Sequence, residues 1–427
     1  MRPLTAENAQ PPANENAKLP AAENDKLPDT AVAGGGIGRD GPAGVAWTDR
    51  KKYLWLLGLA IPLAPLVAWG LVTATGWGGF WYLGPFLFGV VNPLLDLLLG
   101  KDSSNPPESV LSWLEEQRYY RWCTYAYLPL QYAGLVLACW MWSRGDVALW
   151  EKVGLMLTMG VVGGIAINTA HELGHKKDVL ERRLSKVALA QTAYGHFYIE
   201  HNRGHHVRVA TPEDPASARL GESFYRFLPR TVWGSLRSAW RLEKARLARS
   251  GKGPWTVRND VLNAWALTVA LYASLIAAFG IGIVPFLVVQ AVIGFSALEV
   301  VNYLEHYGLL RERTPAGRYE RCAPRHSWNS NSIASNIMLY HLQRHSDHHA
   351  NPTRRFQALR HFDEAPELPS GYATLARLAT VPPLWRLVMD KRVIAHYGGD
   401  ASRANIQPGK HARYGVTPPA ASGETPA

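Results

Sequence analysis

Six apolar blocks punctuate the chain, at 53–75, 79–100, 121–142, 147–170, 259–280 and 282–305, separated by polar or glycine-containing links. Each is about 20 residues or slightly more, and a helix of that length spans about 30 Å at 1.5 Å per residue, the thickness of a bilayer's hydrocarbon core. The pattern predicts an all-α integral membrane protein of six transmembrane helices. Two long polar segments, 171–258 and 306–427, are left to build a helical and looped cap. Pro62, Pro65, Pro85, Pro93, Pro129 and Pro285 fall inside apolar runs. Kinks are expected there, tolerated where neighbours satisfy the freed carbonyls. Residues 1–45, with the near-repeat ANENAKLP and AAENDKLP, bury too little to offset their ordering entropy and are expected to form a disordered tail. The membrane domain is then 46–400, and 401–427 a C-terminal tail.

Composition refines this picture only where it departs from it. The near-neutral mean hydropathy conceals the apolar blocks, because long polar segments dilute them. The formal charge of +11 in 427 residues comes without a nucleic-acid recognition motif, and in a membrane protein such an excess marks the cytoplasmic loops. DRKK at 49–52 and the two long segments carry most of the Lys and Arg, whereas the links TGWGG and FGIG carry none. Six spans with both termini on the cytoplasmic side place these charges inside, with Arg144 a minor exception. Three scattered cysteines, Cys123, Cys139 and Cys322, exclude a disulfide framework or an iron–sulfur centre. No cleavable secretory signal is expected from the polar first fifty residues, and the glycine run near residue 35 lacks the ending of a phosphate loop.

Histidine changes the picture most. Nine of the fifteen histidines gather in four clusters, HELGHKK from His171, EHNRGHH, NYLEHYG and RHSDHH, at inner span ends or in the cytoplasmic segments. On a helix, residues four apart share a face about 6 Å apart. His171 with His175, His201 with His205, and His345 with His349 are therefore each expected to reach one metal. His206 and His348 sit about 100° round from their neighbours, so each adjacent pair can serve two metals. Nine imidazoles exceed the four to six ligands of one ion, and two metals are implied. Imidazole alone leaves iron, copper, zinc and nickel open. His196, His326 and His341 are expected as hydrogen-bond partners behind the ligands, and His361, His396 and His411 as solvated residues.

HELGH alone matches the signature of zinc proteases, in which two histidines hold zinc and the glutamate is general base. That reading needs one further ligand and leaves most of the clustered histidines unemployed. A metal transporter would place ionisable groups at mid-span; here they collect at span ends, with Asp96 and Glu299 late in theirs. The set HxxxH, HxxxHH and HxxHH instead resembles the membrane di-iron superfamily of fatty acid desaturases, hydroxylases and hydrocarbon monooxygenases. HELGHK (171–176), EHNRGHH (200–206), NYLEHYG (302–308) and LQRHSDHHA (342–350) are similar to the motifs of bacterial alkane 1-monooxygenases. So are GRYE (317–320), HSWNSN (326–331) and TPEDPASARLGES (211–223), and the likeness runs from about Lys51 to Asp400. Fatty acid desaturase or hydroxylase and xylene-type monooxygenase are the alternatives within the superfamily.

The resemblance implies two iron ions held by His171, His175, His201, His205, His206, His306, His345, His348 and His349. It also implies O2 as co-substrate, terminal hydroxylation of alkanes, and a bacterial cytoplasmic membrane. Glu172, Glu200, Glu305, Asp347 and Asn302, beside ligands, are expected to orient the imidazoles from behind. No haem or flavin site is expected in this chain, which lacks both a CxxC pair and a dinucleotide fingerprint. Two electrons must then come from outside the chain, and the resemblance implies a separate rubredoxin fed by an NAD(P)H-dependent reductase. Lys176, Lys177, Arg203, Arg208, Arg354 and Arg355 are candidates for docking that acidic partner. Phe80, Trp81, Tyr82, Phe86 and Phe88 of the second span are candidate channel walls, with Phe88 a steric stop on chain length.

Overall fold

A computed structural model describes residues 47–418, so the expected tail at 1–45 lies outside the described residues. Every regular element described is helical, and β pairing appears there only as isolated bridges. Among the described residues five helices are long and apolar enough to cross a membrane: Leu54–Thr75, Gly78–Leu99, Leu149–Gly174, Asp260–Phe279 and Ile281–His306. The expected third span, 121–142, is instead two pieces, Arg118–Tyr125 and Tyr127–Ser143, the second 17 residues long. Pro129 accounts for the break, because it has no N–H for the carbonyl of Tyr125 and the helix turns at Ala126.

Prolines distort the second span as well. Gly78–Leu99 contains a π-turn at Leu87–Val91, and Pro93 leaves the Gly89 carbonyl without its helical donor. The Arg377 guanidinium, from helix Tyr372–Ala379, donates to that carbonyl instead.

Helix Leu149–Gly174 is the central strut. Gly160 and Gly164 form a small-residue stripe against helix Ile281–His306, where a Cβ on Gly164 would stand 2.8 Å from Ala297 Cβ. Side chains this small let two backbones approach closely, which is how helices associate without a hydrophobic drive between them. Both helices end at the same place, with His171 and His306 in their last turns. Outer helices present apolar side chains outward, among them Leu57, Trp69, Leu97 and Leu98. An outward apolar surface of this kind suits lipid contact.

The cap is tied to the spans by buried polar contacts. Asp96, late in the second span, accepts from the Ser335 N–H at 2.8 Å and the Ser335 hydroxyl at 2.5 Å. Arg344, 1% exposed, donates to the carbonyls of Leu359, Ser104 and Asp102 at 2.8, 2.9 and 3.1 Å. It thereby fixes the chain immediately before His345. Tyr340 and His341 both take left-handed backbone, with φ of 52° and 53°, a strained choice outside glycine. His341 Nδ1 donates to the Phe356 carbonyl at 2.9 Å and its ring meets the edge of Trp55. That pair of contacts secures the turn into helix His345–Ala350.

From Ala401 to the last described residue the chain is packed rather than trailing. Leu220 N–H donates to Asn405 O at 2.6 Å, Gln407 N–H to Leu220 O at 3.0 Å, and Tyr414 Oη to Asp390 at 2.8 Å. Patterning leaves this stretch as a tail because it has no periodic apolar face; its anchoring is by backbone pairing, which leaves no such signature.

Candidate metal centre

Nine histidines from four elements converge into two groups. His171, His175, His201, His206 and His348 form one, and His205, His306, His345 and His349 the other, the donor atoms of each lying within 4.8 Å of one another. Helix Leu149–Gly174 delivers His171, with His175 at its C-terminal cap, and helix Val284–His306 delivers His306. Helix His345–Ala350 sends His345 and His349 to one group and His348 to the other.

The segment carrying His201, His205 and His206 departs from expectation. His201 and His205, four apart, fall in different groups, and His201 pairs with His206, five apart. The expected face-sharing presumed a regular α-helix. In the structure His201–His205 is a π-turn, in which the His206 N–H bonds the His201 carbonyl.

Within the groups the Nε2 atoms face one another. His171 and His348 approach to 2.9 Å, His348 and His206 to 3.0 Å, His201 and His206 to 3.1 Å, His345 and His349 to 2.9 Å, and His306 and His345 to 3.1 Å. A neutral imidazole nitrogen carries one proton or one in-plane lone pair. His348 Nε2, between two other Nε2 atoms, cannot be satisfied by both. His175 Nε2 and His205 Nε2, one in each group, are buried with no hydrogen-bond partner. Converging, unsatisfied lone pairs of this kind fit a cation at the centre of each group.

Electrostatics favour the same state. Burial, then neighbouring imidazoles, hold His175, His201, His206 and His345, His348, His349 well below the usual histidine range. They are neutral at pH 7, the form that binds metal. Asp214, wholly buried, takes a hydrogen bond from His205 Nδ1 at 2.9 Å and one from the Ser217 hydroxyl at 2.6 Å. Its carboxyl is lowered to about 2; burial, the largest influence, opposes this, and His205 and Ser217 outweigh it. A proton held on Nδ1 leaves the Nε2 lone pair of His205 aimed at the group's centre.

Asp214 was not among the carboxylates expected behind the ligands, and most of those expected stand elsewhere. Glu305 alone of them meets a ligand, with Oε2 3.1 Å from His345 Nε2, the inward-facing nitrogen; it therefore borders the centre itself. Glu172 pairs with Lys176 at 3.0 Å, Glu200 with Arg208 at 2.6 Å, Asp347 with Arg354 at 2.7 Å, and Asn302 donates to Glu299 at 3.1 Å. His326 reaches the site only through its backbone carbonyl, 3.4 Å from His306 Nδ1, while His196 is buried with both ring nitrogens unpartnered.

The candidate docking cations are mostly consumed inside the cap. Lys176 is buried against Glu172, Arg355 pairs with Glu181 at 2.9 Å, and Arg203 pairs with Glu243 and Asp260. With Arg208 and Arg354 paired as above, Lys177 remains as an exposed cation beside His175. Among the candidate channel walls, Trp81 is fully buried in the helix core, Tyr82 donates to the Trp150 carbonyl, and Phe86 is 51% exposed and points outward. Phe80 and Phe88 pack partly buried against the core. None of them borders the small cavity at the metal groups, which is lined by Asn168, His171, Phe197, His201, Leu298, Val301, Asn302, Glu305, Leu342 and His345.

Comparison with known proteins finds a matching family and several relatives. The fatty acid desaturase family model matches residues 148–379, which contain all nine histidines. The alkane 1-monooxygenase of Acinetobacter baylyi is 49% identical over 381 residues, covering 87% of this chain and 93% of that protein. Alkane 1-monooxygenase 1 of Alcanivorax borkumensis is 48% identical over 368 residues, covering 86% and 91%. A xylene/toluene monooxygenase hydroxylase component of Pseudomonas putida is more distant, 27% identical over 333 residues, covering 75% and 86%.

Proposed function

The chain belongs to the alkane 1-monooxygenases, within the fatty acid desaturase family, and on that premise we propose that it hydroxylates the terminal carbon of alkanes at two iron ions, one in each histidine group. The observation that carries this reading is the division of nine histidines into sets of five and four beside the ends of two apolar helices. His171, His175, His201, His206 and His348 hold one iron, and His205, His306, His345 and His349 the other. When bound, iron supplies the oxidising chemistry, with one atom of O2 inserted into the C–H bond and the other leaving as water.

The protein's own contribution is binding, orientation and exclusion of water. An alkane offers no polar handle, so its affinity must come from apolar burial at about 25 cal/mol per Å2. Leu298, Val301 and Leu342 supply apolar surface directly beside His171, His201 and His345. Asp214 orients His205, and the neutral, buried imidazoles keep their lone pairs for metal.

In the membrane, Tyr127–Ser143 with its preceding helix completes six spans. Both termini and the histidines lie on the cytoplasmic side of a bacterial inner membrane, as the Lys and Arg distribution favours. Alkanes partition into the bilayer and enter laterally. Electrons arrive from rubredoxin, reduced by an NAD(P)H-dependent reductase, and exposed Lys177 is a contact for that acidic partner. Metal analysis of the purified chain, coupled to octane turnover with rubredoxin and its reductase, tests the reading. Two irons and 1-octanol are expected; zinc in place of iron, or no 1-octanol, overturns it.

A further inference from the structure

EHNRGHH has one more residue between its histidines than RHSDHH. On the regular helix His345–Ala350, residues four apart share a group and the intervening His348 joins the other. In EHNRGHH the pair that shares a group is five apart, and His205 joins the other. On an α-helix five residues turn the chain about 140° off the starting face, at about 100° per residue, and the rings of His201 and His206 would diverge. They converge because the π-turn closes at i+5 and so acts as a single residue inserted into an α-helix.

Contacts around the turn hold it. Glu200, 2% exposed, and Arg208 bracket it, with the Arg208 guanidinium donating to Glu200 Oε1 at 2.6 Å and to Ser238 Oγ at 2.7 Å. Asn202 Nδ2 donates to the Tyr198 carbonyl at 2.7 Å. Gly204 lies beneath the Glu200 carboxylate, where a Cβ would overlap it. Among the described residues none of Glu200, Asn202 and Arg208 hydrogen-bonds a histidine ring.

We infer that this π-turn sorts His201, His205 and His206 between the two metals, and that Arg208, acting through Glu200, is the positioning residue that holds it. The inference rests on the two-metal reading above. Without the clamp the segment relaxes toward α-helical register, His206 leaves one group and His205 the other, and the group reduced to His306, His345 and His349 loses its metal first. Deleting Asn202 repairs the register by another route, because His201 and the two following histidines then have the spacing of HSDHH on an ordinary α-helix.

The test is Co2+ stoichiometry of the full chain in detergent, measured by equilibrium dialysis and elemental analysis, with helix content and monodispersity recorded for each variant. The unaltered chain and Arg208→Lys, which still reaches Glu200, are expected to hold two ions. Arg208→Gln is expected to hold about one, and Arg208→Gln with Asn202 deleted to recover the second. A purely structural role for Arg208 would be worsened by the deletion, not repaired. Two ions in Arg208→Gln, equal loss in the Lys and Gln variants, or no recovery in a folded deletion variant overturns the inference. Fewer than two ions in the unaltered chain overturns the two-metal reading beneath it, so the two failures are told apart.

Discussion

Replacing Asp214 by Asn removes a charge and almost no volume, and the structure says what the amide cannot do. Asp214 Oδ2 accepts from His205 Nδ1 at 2.9 Å and from the Ser217 hydroxyl at 2.6 Å, while Oδ1 accepts from the Ala216 N–H at 3.2 Å. An amide has one acceptor oxygen. If that oxygen faces His205, the amide nitrogen meets the Ala216 N–H and leaves a buried donor unsatisfied, at about 1–3 kcal/mol. If the nitrogen faces His205 instead, the imidazole must accept, its proton moves to Nε2, and the lone pair aimed at the group's centre is lost. Either orientation also removes the negative charge that makes the imidazole a stronger donor to metal. Loss of a partner behind a metal-bound histidine typically costs about 10–100-fold in affinity, or about 1.4–2.8 kcal/mol.

The expected result for Asp214→Asn is therefore weaker binding at one site of two. Titration of the metal-free chain with Co2+ against a competing chelator reads both affinities. The group of His205, His306, His345 and His349 should weaken by at least about tenfold, and the other should change little, since Asp214 bonds none of its members. Two unchanged affinities would refute the assignment of Asp214 as the residue that fixes His205.

Two further outcomes follow from the same geometry. Lys176→Met leaves Glu172 buried without its partner at 3.0 Å, and should lower stability by about 3–5 kcal/mol in thermal or denaturant unfolding; a wild-type melting curve would count against a buried pair. Because six clustered imidazoles outside the spans have depressed folded pKa values, the unfolded chain binds protons that the folded chain does not at pH below about 6.5. Stability of the chelator-treated protein should be full above that pH and fall as pH drops through it, and a flat melting temperature between pH 7.5 and 5 would contradict neutral burial.

Spacing brought all nine histidines into view because ligand pairs on helices leave a period in the sequence. It mispaired His201 and His205 because a π-turn leaves almost none: the only trace is that EHNRGHH is one residue longer than its α-helical counterpart. Proximity in sequence misled more. A residue next to a ligand on a helix points about 100° away from it. Glu172 and Asp347 accordingly face Lys176 and Arg354, while Asp214, nine positions beyond His205, folds back onto it. The motif containing Asp214 was visible as part of a resemblance, but its role depends on the turn closed by Ser217 and Ala216. Charge counts had the corresponding weakness, since they do not reveal that Arg203 and Arg355 are spent on internal carboxylates.

The two groups also explain why cap and spans form one unit around the site. Each group draws one histidine from the last turn of an apolar helix, His171 or His306; His175 caps the first of these helices, and the remainder come from segments that lie beyond the spans. The separation of the two helix-borne ligands is set by the close packing of Gly160 and Gly164 against the neighbouring span, a contact with little freedom to adjust. The cap ligands are placed differently, by Arg344, by the left-handed turn at Tyr340 and His341, and by the Glu200–Arg208 bracket. A metal bound in either group therefore joins a rigid membrane frame to a separately organised cap. Its binding energy contributes to holding the two together. The polar contacts that arrange the cap therefore bear on metal binding through the histidines they place.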